Sequence, residues 1–237
     1  MKDKSFHQLR TRLADPLLTT LTIMLAVMLS PFLADAVAAT DSVPPGGCRP
    51  VSERKSEVGC WVVADREIGE LKNAKTFWHL DTFPTREAAE AAKGPSGVVV
   101  EAYDKMWLLT IEDKADWRVP GGNHVSDIGP LPVIAGSKYS VRYLDAVFQP
   151  GMTADEHRHS GPEAWYTLEG ETCLETPEGA QVGRAGGAPV IVPGGLPMHL
   201  TATGTTLRKS LVLILYETGK PITTPARDWK PKGLCRR

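Results

Sequence analysis

Two histidines one residue apart, His157 and His159, precede Glu163 in the segment GMTADEHRHSGPEAWYTLEG, residues 151–170. On a strand, residues i and i+2 share a face, so the two imidazoles stand side by side at little extra ordering cost. Ser160-Gly161-Pro162 reads as a tight reversal, after which Glu163 opens the next strand and returns a carboxylate to the pair. Far along the chain, His199 follows PGGLPM at the start of another strand and is expected to close the group from across a barrel. Three neutral imidazoles and one carboxylate suit a divalent transition metal, with one or two positions left for water or substrate. No separate base announces itself, so Glu163 is also the candidate catalytic base.

Strands and turns must position these groups. From Tyr139 onward the apolar runs YSVRYLDAVF, AWYTL, TCLET, PVIVP, MHLTAT and SLVLILYE are separated by Gly/Pro turn signals. Many short strands with no helical period indicate a sandwich or barrel over residues 139–218. Strand parity from Glu163 turns Trp165 and Thr167 inward, and parity from His199 does the same for Thr201 and Thr203. That wall suits an aromatic or weakly polar small molecule better than a strongly anionic one, although Arg142 and Arg184 lie on neighbouring segments. His79 and His124 have no such company and read as ordinary histidines.

Ahead of the barrel, residues 40–125 read as a small α+β unit. The strands CWVVA, FWHL and VVVEAYDKMWLLTI accompany one helix over EAAEAA, capped by Thr82 or Thr85 and closed at Lys93-Gly94, and a hairpin turn falls at Tyr103-Asp104-Lys105. Nothing in this unit has catalytic spacing; a protein-contact role is one reading of it. Residues 126–138 read as a linker, because Gly and Pro recur there too closely for a regular element. Residues 219–237, with three prolines, read as an extended tail.

Residues 1–39 have the order of a secretory signal peptide: basic residues, the apolar run LLTTLTIMLAVML, then small residues with an A-x-A pattern at Ala36 and Ala38. Cleavage leaves no stable membrane anchor and an exported chain, periplasmic or secreted. All four cysteines follow the cut, and an even count in an oxidising compartment favours disulfides. Three pairings are open; proximity favours Cys48 with Cys60, which leaves Cys173 for Cys235. With 27 Lys+Arg against 28 Asp+Glu, no basic footprint for nucleic acid exists, so a small molecule is the expected partner.

The spacing Gly151, five residues, His157, one, His159, three, Glu163, six, Gly170 resembles the first signature motif of the cupin superfamily. Gly187, Pro193, Gly195 and His199 resemble the second, with two departures. Three residues rather than two separate Gly195 from His199, and Thr203 stands where an asparagine is usual. An extra residue absorbed as a bulge beside Gly194-Gly195 would keep His199 facing inward. The resemblance covers residues 139–217, little over a third of the chain. It implies a mainly β fold: a jelly-roll barrel that binds Fe, Mn, Ni, Cu or Zn through His157, His159, Glu163 and His199. It also implies pairing into a homodimer through edge strands, and dioxygenase-like chemistry of the quercetin-dioxygenase type. A non-catalytic exported binding or structural barrel is the alternative.

Overall fold

The computed structural model describes residues 41–235, so the expected signal peptide lies outside the described residues. In chain order the elements are β1 (Ser42–Val43), β2 (Arg49–Pro50), β3 (Gly59–Glu70), β4 (Lys75–Phe83), α1 (Arg86–Ala92), β5 (Gly97–Ala102), β6 (Lys105–Glu112) and β7 (Asn123–Pro132). Then come β8 (Lys138–Phe148), β9 (Thr153–His159), β10 (Glu163–Glu169), β11 (Glu171–Thr176), β12 (Gly179–Arg184), β13 (Val190–Val192), β14 (Met198–Thr203), β15 (Arg208–Glu217) and β16 (Thr223–Pro225).

Two sheets form the barrel. One has the order β1-β9-β14-β11-β12, with β16 also on β9; the other has the order β13-β10-β15-β8-β3-β2. Their facing sides share one apolar cluster, in which Leu144, Trp165, Val212 and Ile214 of the second sheet meet Leu174, Met198 and Leu200 of the first. A third sheet, β5-β6-β4-β7, packs against the outside of the second: Trp78, Leu80, Trp107 and Ile128 cluster with Tyr143, Leu211, Leu213 and Leu215. This explains the unbroken apolar run SLVLILYE. On β15, Leu211, Leu213 and Leu215 face the third sheet while Val212 and Ile214 face the barrel interior, so neither side meets water.

Several expectations hold locally. Thr85 is the N-cap of α1, its Oγ1 accepting from Ala88 N at 3.2 Å, and Lys93 ends the helix. Tyr103 and Asp104 have φ of 53° and 56°, the left-handed pair of a tight hairpin between β5 and β6. Both disulfides join the favoured partners, Cys48 to Cys60 and Cys173 to Cys235.

The division into segments differs from the expected one. Strand β3, assigned above to the α+β unit, is antiparallel to β8 in the barrel sheet. The expected linker, residues 126–138, consists largely of β7, which pairs with β4. Its prolines Pro130 and Pro132 are tolerated because β7 is an edge strand, where a missing N–H leaves no ladder bond unmade. The tail contributes β16 and is fastened by Cys235. One apolar face of the third sheet is covered, within this chain, by the barrel.

Candidate metal centre

Strand β9 ends at His159 and β10 begins at Glu163, joined by Ser160-Gly161-Pro162. The reversal is held against β15: Pro162 O accepts from Leu215 N at 2.9 Å, and Ser160 Oγ accepts from Glu217 N at 3.2 Å. A side chain at residue 161 would collide with the Leu215 carbonyl, which is why glycine stands between the second histidine and the glutamate. A β-bulge in β9 lets Ala154 and His157 both face inward, since β14 advances two residues from Met198 to Leu200 while β9 advances three from His157 to Ala154.

The result is a tight donor group. One ligand atom each of His157, His159 and Glu163 lies within 4.8 Å of the others. Glu163 Oε2 is 2.9 Å from His159 Nε2 and 3.9 Å from His157 Nε2. The closer approach lacks hydrogen-bond alignment, so His159 Nε2 and Glu163 Oε2 are buried polar atoms without a hydrogen-bond partner. Orphaned donors and acceptors are costly inside a protein, and a cation coordinated among them removes the cost.

The far side of each ring is also set for ligation. His157 Nδ1 lies 2.6 Å from Asp155 O, and His159 Nδ1 lies 2.7 Å from Ile222 O. A carbonyl only accepts, so each Nδ1 carries the proton and each Nε2 turns a bare lone pair toward Glu163. Burial, the largest single influence on Glu163, would raise its pKa; the His159 and His157 imidazoles outweigh it and hold the carboxyl down at about 2. For His157 burial acts to lower the pKa, and the Glu163 carboxylate with the Asp155 carbonyl reverses this to a net rise above 6.5. The residues fit a divalent ion: two imidazoles and a carboxylate at one corner of the barrel, the ligand set of mononuclear non-haem iron sites.

His199 is not in this group. Met198 and Leu200 face the interior, so their neighbour His199 points to the other side of β14, toward the charges of Glu156, Glu175 and Asp155. Burial lowers its pKa. The extra residue expected to restore its direction would have to bulge from β14, but the bulge sits in β9. Met198, two residues after Leu196, is the residue in register with His157. Thr201 and Thr203 turn outward for the same reason, and Thr203 donates to Glu171. Trp165 lines the interior as expected, and Thr167 shares its face, accepting from Ser210.

The donor group opens onto a small, partly enclosed barrel cavity. Leu144, Phe148, Trp165, Leu200, Val212 and Ile214 supply apolar wall, and residues 43–48 with the Cys48–Cys60 disulfide line one side. Arg142 reaches the cavity but is held by Asp65, and Arg184 pairs with Glu171. Arg208, which spacing did not single out, lines the cavity too. The signal was available as parity: Arg208, Val212 and Ile214 are even-numbered positions of one strand. His79 and His124 join β4 to β7 in a network with Asp81, Asp127 and Arg118.

Two facing sheets around a cavity, with an inward group of two histidines and a carboxylate, define a β-barrel whose donor group could hold a metal ion. The Gly151–Gly170 spacing that resembles the first cupin motif falls at the β9–β10 corner, and the two facing sheets agree with the barrel which that resemblance implies. No family model matches the chain, nor does any curated protein. Among solved structures it is similar to a cupin superfamily protein from Desulfitobacterium hafniense, at 16% identity and TM-score 0.30 over 37% of this chain and 74% of that one. It is similar to the DMSP lyase DddQ from Ruegeria pomeroyi at 20% identity and TM-score 0.33, over 48% of this chain and 49% of the lyase. An oxalate oxidase matches at 23% identity and TM-score 0.31, over 37% of this chain and 46% of the oxidase. The match thus spans about half of the lyase and oxidase chains.

Proposed function

We propose that this chain is an exported metal-dependent enzyme of oxygenase-like chemistry, acting on a small molecule inside the barrel. The observation that supports it most is the group of three converging ligand atoms, joined by no fourth His, Cys, Asp or Glu ligand among the described residues. Three protein ligands leave adjacent positions for substrate and a second reactant, whereas a structural site closes its shell. When bound, a divalent transition metal supplies Lewis acidity and, if redox-active, one-electron chemistry. His157 and His159 bind through Nε2 and are kept in that tautomer by the Asp155 and Ile222 carbonyls. Glu163 would hold the metal through Oε2 and is the candidate proton acceptor of the site. The apolar wall excludes bulk water and strengthens each polar contact within. Export is supported by the signal-like N-terminus and by two disulfides, which suit an oxidising compartment.

Elemental analysis of the mature protein from the exported fraction, beside a His157→Ala/His159→Ala variant, tests the reading. About one transition metal per native chain, absent from the variant, is expected, with iron, manganese, nickel or copper matching the redox assignment. A native protein that takes up no metal even on reconstitution would leave a binding barrel and end the enzyme reading.

A further inference from the structure

At Arg208 the charge bookkeeping of the cavity is incomplete. The residue is 1% exposed, yet among the described residues it forms no ion pair, and its NH2 nitrogen is buried without a hydrogen-bond partner. Nε donates to Thr172 Oγ1 at 2.6 Å, and the guanidinium carbon stands 5.1 Å from the centre of the Phe148 ring. These two contacts fix the plane of the fork and leave one edge unused. Burial lowers its pKa to about 10, with Tyr103 and Glu163 resisting the drop, so the cation persists at neutral pH.

Its place in the strand is informative. Ile214 is in register with Glu163, and Arg208 lies six residues back along the same face of β15, a strand distance of about 20 Å. Arg208 and the His157, His159 and Glu163 group line one cavity from different levels, with Val212, Trp165 and Leu144 among the walls. The other arginine of the cavity, Arg142, already has its carboxylate in Asp65. A buried cation without a counter-ion is among the costliest features a core can keep. An arginine poised over an aromatic ring with a free edge is set up to receive a planar, bidentate acid.

We propose that Arg208 anchors substrate: the molecule is small and largely apolar, carries one carboxylate bound by the Arg208 guanidinium, and extends along the barrel toward the metal group. One guanidinium edge, with no lysine lining the cavity, matches a single carboxylate and not a phosphate. The apolar walls match the body of the molecule. This replaces the weakly polar ligand that the residues around Glu163 and His199 implied. The metal end rests on the enzyme reading above; the Arg208 end does not.

The test uses the mature protein, metal-loaded and metal-free, with 3-phenylpropionate and its amide, 3-phenylpropionamide, as probes in titration calorimetry. The acid is expected to bind at least about 10-fold more tightly than the amide, and to shift the Arg208 Nε–H resonance in NMR spectra of the native protein. Arg208→Met is expected to abolish the preference while retaining the metal content of the native chain. Equal affinity for acid and amide in the native protein, an unmoved Arg208 resonance, or a preference that survives in R208M would each overturn the anchor. An Arg208-dependent acid preference in a protein that takes up no metal would uphold the anchor and overturn the enzyme reading instead.

Discussion

His199 and Met198 are adjacent, and because strand neighbours point to opposite faces, only one of them can meet His157 across β9 and β14. Met198 does, 1% exposed and in register with His157, at a cross-strand separation of about 5 Å between Cβ atoms. His199→Ala is therefore expected to leave metal content unchanged. Met198→His should add a fourth imidazole and tighten binding by about 10-fold or more, since imidazole is a far better ligand than thioether for most divalent ions. Chelator competition on both variants checks this; loss of metal in H199A would restore His199 to the site. The contrast shows what single-sequence reading can reach. His157, His159 and Glu163 were legible because seven residues and one turn contain all three. His199 was not, because its direction depends on a bulge in a strand forty residues away, and Arg208 was not, because its parity with Val212 and Ile214 becomes informative only once one inward residue of β15 is known.

At the level of elements, what holds the donor group is largely the segment that reads as a tail. Strand β16 pairs with the end of β9, Thr223 opposite His159 and Pro225 opposite His157, and Ile222 O fixes the His159 tautomer. Beyond it Ala226 N donates to Glu156 O at 3.0 Å, Glu175 accepts from Lys232 N and Leu234 N, and Cys235 closes on Cys173. Strand content and the helix were readable from apolar runs and caps, but the role of this tail was not: its prolines announce an extended chain without naming its partner. The same limit applies to β3, whose partner β8 lies some seventy residues on and outside the α+β unit in which it was placed. A Cys173→Ser/Cys235→Ser variant should loosen the tail and weaken metal binding by about 10–100-fold, the usual cost of losing a ligand's outer partner, while the barrel stays folded. Metal titration with circular dichroism on the same samples decides it; native affinity in the variant would confine the tail to a role in stability.

For the whole molecule, the third sheet buries the outer face of β8 and β15, so the barrel wall that carries both Arg208 and Glu163 is packed from both sides. A metal bound there would stabilise the entire fold, with an effect that depends on pH in a definite direction. In the metal-free protein, His157 has a pKa raised above 6.5, so its contribution is complete below 6.5 and is lost as pH rises through the raised value. Glu163 is lowered from 4.5 to about 2, so its contribution is present above 4.5 and is lost as pH falls toward 2. Between 4.5 and 6.5 both act, because the protonated histidine and the carboxylate attract one another across 3.9 Å. A metal must displace the His157 proton to bind, so it gains little there and much above pH 7. At 100 times its dissociation constant near pH 8, a metal should add about 2.7 kcal/mol, which for a domain of this size raises Tm by roughly 5–10 °C. At pH 5 the same metal concentration should raise Tm far less. Calorimetry of loaded and metal-free protein at the two pH values gives the answer, and an equal increment at both would mean that the His157 proton does not compete with the metal.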